Sequence, residues 1–231
     1  MKQVILGILA ALLSSTSTAQ SPIITVTDKK LPDSTLTKVY VGIMSAVMFL
    51  PDEKKRDESI KELMLGIKIL DEQMMFNPEN GLIYVWRGVA KQYLNRLPEA
   101  IADYTKAIKL MPDDFKQYES RGKCKKQLQD YLGATNDFTK ALSLTDSKKY
   151  PNYSELYYER AVCYSALKKY DAALQDFNAA IALNKNNCLY YLGRGAVKSV
   201  LYNSTSGCSD LSTAGELGCH EAYDFIKDMC H

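Results

Sequence analysis

Six cysteines and two histidines have the widest chemical range of any residues in this 231-residue chain. A thiolate can attack a carbonyl, ligate zinc or oxidise to a disulfide, and an imidazole can serve as base or metal ligand. Their positions narrow the options. Both histidines lie at the C-terminal end, in Cys219-His220 and Cys230-His231, and none precedes residue 220. The body of the chain therefore has no imidazole to activate a nucleophile. Only Cys124 has basic flanks, Lys123 and Lys125, and on a helix these neighbours point to other faces. No GxSxG, GxxxxGK[ST] or HExxH occurs, so nucleophile-elbow, phosphate-loop and zinc-protease chemistry have no sequence support. The carboxylates are scattered over helix faces, where solvated charge is the default. The expectation is a non-enzymatic protein with no cofactor. A zinc module of Cys208, Cys219, His220, Cys230 and His231 is the lesser alternative, because structural zinc sites usually place two ligands about two to four residues apart and the Cys–Cys intervals here are longer.

Composition and the first residues set the surroundings. A net charge of +2 with interspersed acids and bases gives no basic footprint for nucleic acid. An apolar content of 46% suffices for a sizeable core. Lys2, the apolar run Val4 to Leu13 and the small residues Ser17 and Ala19 predict a secretory signal peptide over 1–19. The run is too short to span a bilayer, so no membrane span is expected in the mature chain. The predicted location is outside the cytoplasm, periplasmic or secreted. Asn152-Tyr-Ser and Asn203-Ser-Thr are glycosylation sequons, meaningful only in a eukaryotic route. Residues 20–32 read as an extended leader.

The elements that must position any site are written as a repeat. A unit of 34 residues begins at Gly81 and recurs from Phe115 and, after an insertion at 149–153, from Ser154; a degenerate copy begins at Cys188. Position four is Tyr84, Tyr118, Tyr157, Tyr191; position eight is Gly88, Gly122, Ala161, Gly195. Position twenty is Ala100, Ala134, Ala173 and then Gly207, and position twenty-four is Tyr104, Phe138, Phe177, Leu211. Position twenty-seven is Ala107, Ala141, Ala180, Ala214. Small residues recur where two helices approach and large apolar ones where a hole must be filled, both at helical spacing. Each unit is expected to be two amphipathic helices joined by a short turn. Position seven is Arg87, Arg121, Arg160, Arg194 and position twenty-three is Asp103, Asp137, Asp176, Asp210. They stand at one level on facing helices, which predicts a structural ion pair in every unit.

These columns resemble the tetratricopeptide repeat, well over 81–187 and loosely over 188–221. The resemblance implies an all-α fold, a right-handed α-solenoid of stacked antiparallel helix hairpins. The implied order is a divergent hairpin over 33–80, repeats over 81–114, 115–148 and 154–187, a degenerate repeat over 188–218 and a capping helix over 219–231. It also implies a concave wall lined by the first helix of each unit, where family members bind peptides or proteins. That lining would come from Leu82, Val85, Val89, Gln92 and Tyr93, then Lys116, Glu119, Lys123 and Lys126, then Tyr158 and Val162, then Leu189 and Leu192. A segment with apolar anchors around an acidic residue would complement it. The family's carboxylate clamp is missing: Val89, Lys123, Val162 and Ala196 stand where its asparagine would. The implied function is a protein–protein scaffold with a partner the sequence does not name. The alternative is a structural component acting through its outer surface, with the groove covered by the chain itself. Exposure of Leu82, Val85 and Tyr158 is the discriminating observation. Oligomeric state is not legible.

Both ends need closing. Leu36, Val39, Tyr40, Ile43, Val47 and Ile60, Leu63, Ile67, Leu70 form the stripes of the first hairpin. Met44, Met48, Met64, Met74 and Met75 cluster there and are expected to fill its core, an adaptable binding face being the alternative. At the other end Gly218 stops a helix, and Ala222, Tyr223, Ile226 and Met229 mark the last one. Cys124 and Cys163 share position ten and behave as small buried residues. Cys188, Cys208, Cys219 and Cys230 allow three connectivities. Antiparallel stacking favours Cys208 with Cys230 and Cys188 with Cys219, as staples of the exposed end.

Overall fold

The computed structural model describes residues 34–145, 153–203 and 205–230. The signal peptide, the leader and residues 149–152 of the insertion lie outside the described residues. The described residues form eleven α-helices and no strand. They fall into two compact units, one ending at Cys124 and the other beginning at Lys125.

The first unit holds α1 (Ser34–Phe49), α2 (Arg56–Phe76), α3 (Gly81–Tyr93), α4 (Leu97–Leu110) and most of α5 (Phe115–Gln127). α1 stops just before Pro51, whose missing N–H cannot continue the ladder. Leu36, Val39, Tyr40, Ile43 and Val47 are buried against Leu63, Ile67 and Leu70 of α2 and against Trp86 of α3. Tyr40 stacks on Trp86 with ring centroids 5.1 Å apart, and burial pushes its phenol up to about 12. The methionines depart from expectation. Met44, Met48, Met64 and Met75 are exposed, and only Met74 is packed against buried side chains. The inner stripes of α1 and α2 are already filled by Leu, Ile, Val and Tyr, so these methionines fall on the outer faces.

The second unit holds α6 (Tyr131–Leu144), α7 (Ser154–Ala166), α8 (Tyr170–Leu183), α9 (Cys188–Leu201), α10 (Cys208–Glu216) and α11 (Glu221–Met229). Its buried residues form one cluster around Phe177 and Tyr190 and a second around Leu192, Leu211 and Ala222.

The repeat acts through local chemistry that recurs in register. In three copies the residue before the first helix is a cap: Asn80 and Asn187 accept from the backbone N–H of Leu82 and Leu189, and Asp114 from that of Lys116, whereas Tyr153 before α7 makes no side-chain cap bond. The turn inside the hairpin uses a left-handed residue at position fifteen, Asn95, Gln129 and Lys168, at φ of 58°, 61° and 59°. The following N–H then reaches back to the carbonyl of position eleven, as in Arg96 to Lys91 at 2.8 Å and Lys169 to Tyr164 at 2.9 Å. Position eight must be small because position twenty-four lies over it: a Cβ on Gly88 would stand 3.0 Å from the Tyr104 ring.

Candidate functional site

The Arg and Asp columns meet as a ladder of bidentate pairs. Arg87 donates twice to Asp103. Arg160 donates to both oxygens of Asp176 at 2.7 and 2.8 Å, and Arg194 to both of Asp210 at 2.9 and 2.6 Å. In the remaining copy Arg121 donates to Thr105 Oγ1 at 3.0 Å, and Asp137 accepts Lys125 at 2.8 Å. Three further columns serve this ladder, and of these only the position-four tyrosines were legible as a column, without this role. The Nη1 of each arginine reaches position twenty-five of the preceding copy: Asp71, Thr105, Thr139 and Asn178 in turn. Lysines at position eleven add a second cation to the aspartate, as Lys91 to Asp103 at 2.8 Å and Lys198 to Asp210 at 2.9 Å. Each guanidinium also lies 5.5 to 5.8 Å from the ring of the position-four tyrosine. The aspartates are buried, so the ladder is a structural device and not an open charged surface.

The expected groove residues divide into two groups. Val85, Val89, Tyr158, Val162 and Leu192 are buried and must be withdrawn from a free surface. Their burial comes from the neighbouring helix. Val85 packs in a cluster with Tyr84, Ala107 and Met111. Tyr158 is wedged between Phe177 and Tyr190, with centroids at 6.2 and 5.2 Å. Val89, Val162 and Leu192 belong to the main cores. The other eight, Leu82, Gln92, Tyr93, Lys116, Glu119, Lys123, Lys126 and Leu189, are half-buried.

Within the first unit six of these eight sit on α3 and α5. Leu82 and Tyr93 lie over the core. Gln92 is fixed by accepting the Tyr104 hydroxyl at 2.8 Å. Lys123 holds Glu119 at 2.8 Å on its own helix. Burial raises the Tyr93 phenol while the nearby Lys123 charge pulls it back, which places an ammonium beside a half-buried ring. In the second unit Lys126 is drawn onto buried Glu159 at 2.7 Å, so its charge is already met.

The thiols are not reactive groups. Cys124 and Cys163 are buried and unpaired, and burial pushes both up to about 12. The sulfurs of Cys188 and Cys219 stand 2.09 Å apart, and those of Cys208 and Cys230 2.00 Å, both at disulfide distance. Among the described residues no group of three or more His, Cys, Asp or Glu is arranged to hold a metal. No described helix is long and apolar enough to cross a membrane.

Comparison with known proteins places the repeats. Models of the tetratricopeptide repeat match residues 82–114 and 154–187. These two segments are tetratricopeptide repeats. A curated relative, "DnaJ homolog subfamily C member 7 homolog" of Dictyostelium discoideum, is 38% identical over 117 residues, 49% of this chain. The match spans only 22% of that relative's length. Among solved structures, a MamA fragment from Desulfovibrio magneticus RS-1 is similar at TM-score 0.63 and 17% identity, covering 79% of this chain and 94% of that one. A tetratricopeptide repeat protein from Parabacteroides merdae is similar at TM-score 0.62 and 19% identity, covering 83% and 72%. YrrB, described as having an unusual peptide-binding site, is similar at TM-score 0.57 and 20% identity, covering 67% and 78%. These likenesses show the fold, all-α and of the helical-hairpin solenoid class. Repeats of this kind support a protein-interaction scaffold.

Proposed function

We propose that this chain is an exported, non-catalytic scaffold that grips a peptide segment carrying apolar anchors around an acidic residue. The gripping face is that of α3 and α5 in the first unit. The observation that carries this reading is the half-buried set Leu82, Tyr93, Lys116 and Lys123, in which cations stand beside apolar surface that the core leaves partly open. Glu119, paired to Lys123, is the acid that a ligand carboxylate would displace. The similarity in fold to YrrB is consistent with peptide capture but does not choose the ligand. Export rests on the four cysteines at disulfide distance, since such pairs persist in oxidising compartments.

Fluorescence anisotropy with a library of labelled peptides tests the ligand class. Peptides with an acidic residue between apolar ones should bind, and exchanging the acid for lysine should abolish binding. Lys123→Glu and Lys116→Glu should each weaken affinity roughly tenfold, about 1.4 kcal/mol. Equal binding of the charge-reversed peptides would overturn the reading. Intact mass after thiol alkylation tests export: four thiols should be protected until reduction, and six reactive thiols would sink the proposal.

A further inference from the structure

The first repeat copy departs from its column at one core position. Position twenty-four is Phe138 and Phe177 in the next two copies and Leu211 in the last, but Tyr104 in the first. All four are fully buried. A ring without a hydroxyl fills this hole twice, so packing does not call for an oxygen there. A buried hydroxyl is costly unless it is bonded, and two neighbours bond this one: Gln92 at position twelve, and Ser120 at position six of the following copy. In the second copy the same two positions are Lys126 and Glu159, which satisfy each other directly at 2.7 Å. In the first copy both turn to the tyrosine instead, and the glutamine is left with donors to spare.

The direction of these bonds follows from the chemistry. Burial holds the Tyr104 phenol well above its ordinary range and the Ser120 bond pulls it back, so the phenol stays protonated and accepts from Ser120. Its own proton goes to Gln92 Oε1 at 2.8 Å. That bond fixes the amide and leaves both Nε2 hydrogens without a partner among the described residues. Gln92 is half-buried. Its neighbour Tyr93 has a phenol close to both Tyr104 and the Lys123 ammonium. The spare donors therefore stand on the face of α3 and α5 assigned above to a peptide. A main-chain carbonyl is the acceptor that a peptide of any sequence brings. In an α-helix the backbone ladder consumes it, whereas an extended chain presents it free. We propose that Gln92, positioned by Tyr104 and Ser120, donates to a main-chain carbonyl of the ligand, so that the peptide is held extended and not helical. This rests on the peptide-scaffold reading above.

Anisotropy on the full chain with the same labelled peptides tests this. Tyr104→Phe installs the residue of the next two copies, so helical circular dichroism and cooperative unfolding should persist. Its affinity should nevertheless fall about fivefold, because the amide loses its anchor. Gln92→Leu, at a half-buried position that does not depend on the core, should cost about tenfold. The double variant should lose no more than Gln92→Leu, since Tyr104 acts through the amide. Replacing ligand peptide bonds one at a time by an alkene should reveal one position that costs about tenfold against wild type and nothing against Gln92→Leu. A helix-stapled form of the peptide should bind about tenfold more weakly than the linear form. Wild-type affinity in both Tyr104→Phe and Gln92→Leu would overturn this inference and leave the recognition of the acid standing. A stapled peptide that binds as tightly as the linear one would do the same. Failure of the wild-type chain to bind any of the peptides would overturn both.

Discussion

Among the described residues the last hairpin and the first are held together by different means. At the C-terminal end α11 is nine residues long and buries only Ala222 and Met229. So short a helix is marginal by itself. Cys219 just ahead of α11 reaches the first residue of α9, and Cys230 just beyond it reaches the first residue of α10. The cap is thus tied at both ends to the hairpin it covers. At the N-terminal end α1 is sixteen residues long, packs a full inner stripe, and is held by no cross-link. It instead leaves Val41 and Met48 in solvent. The outer faces differ too: α11 exposes Glu221, Asp224 and Asp228 beside Tyr223, and α1 exposes Val41, Met44 and Met48.

Reduction breaks this contrast most severely. Each disulfide closes a loop, with sequence separations of 31 and 22 residues, and a loop of that size is worth roughly 3 kcal/mol by its constraint on the unfolded chain. The loops overlap, so removing both should lower stability by about 5 kcal/mol. Hydrogen exchange should localise the loss to α9 to α11 while α1 to α4 keep their protection. Uniform loss across the chain would show that the staples act on the whole fold and not on one end.

The ion-pair ladder allows a finer comparison between the two units. Asp103 answers Arg87 and Lys91, whereas Asp176 answers Arg160, and Tyr164 stands where the lysine would be. Asp103→Ala removes the shared carboxylate from two largely buried cations, Arg87 keeping only Asp71, and should cost roughly 4 kcal/mol. Asp176→Ala strands one and should cost less, about 3 kcal/mol. Urea denaturation of the two variants checks the order, and equal losses would show that the lysine adds nothing.

Acid probes the same ladder at the C-terminal end. Burial alone would raise the Asp210 carboxyl, but hydrogen bonds from Arg194 and Lys198 outweigh it and hold the carboxyl below its ordinary value. The stabilisation is therefore present above the unfolded carboxyl range of about 4 and lost as pH falls through the lower folded value. Asp210→Asn should flatten the acid limb of the thermal midpoint against pH. An unchanged limb would assign acid sensitivity to other carboxylates.

These contrasts also show what could be read from the residues. Columns of one residue type were legible: the alanines at 100, 134 and 173, the arginines and the aspartates all sit where a close approach or a paired charge requires them. The column that receives the arginine's third hydrogen bond was not, because Asp71, Thr105, Thr139 and Asn178 share only an acceptor oxygen. The burial of Val85 and Tyr158 is decided by side chains from neighbouring helices, and spacing within one unit carries no information about that. The exposed methionines escaped for a similar reason. Met44 falls at helical spacing from buried Tyr40 and Val47, so periodicity alone does not separate the inner face of α1 from its outer one.

The smallest effect concerns the turns. Position fifteen is left-handed in three copies, at Asn95, Gln129 and Lys168. A residue with a Cβ pays about 1 kcal/mol in that conformation, and asparagine less because its side chain tolerates it. Glycine removes the strain but loses more freedom on folding. Lys168→Gly should therefore raise stability by about 0.5 kcal/mol, and Asn95→Gly by close to nothing. Matched urea midpoints on the two variants measure the difference directly. If Lys168→Gly is destabilising, the lysine holds the turn through its side chain, and the turn of this copy is then set by something other than backbone geometry.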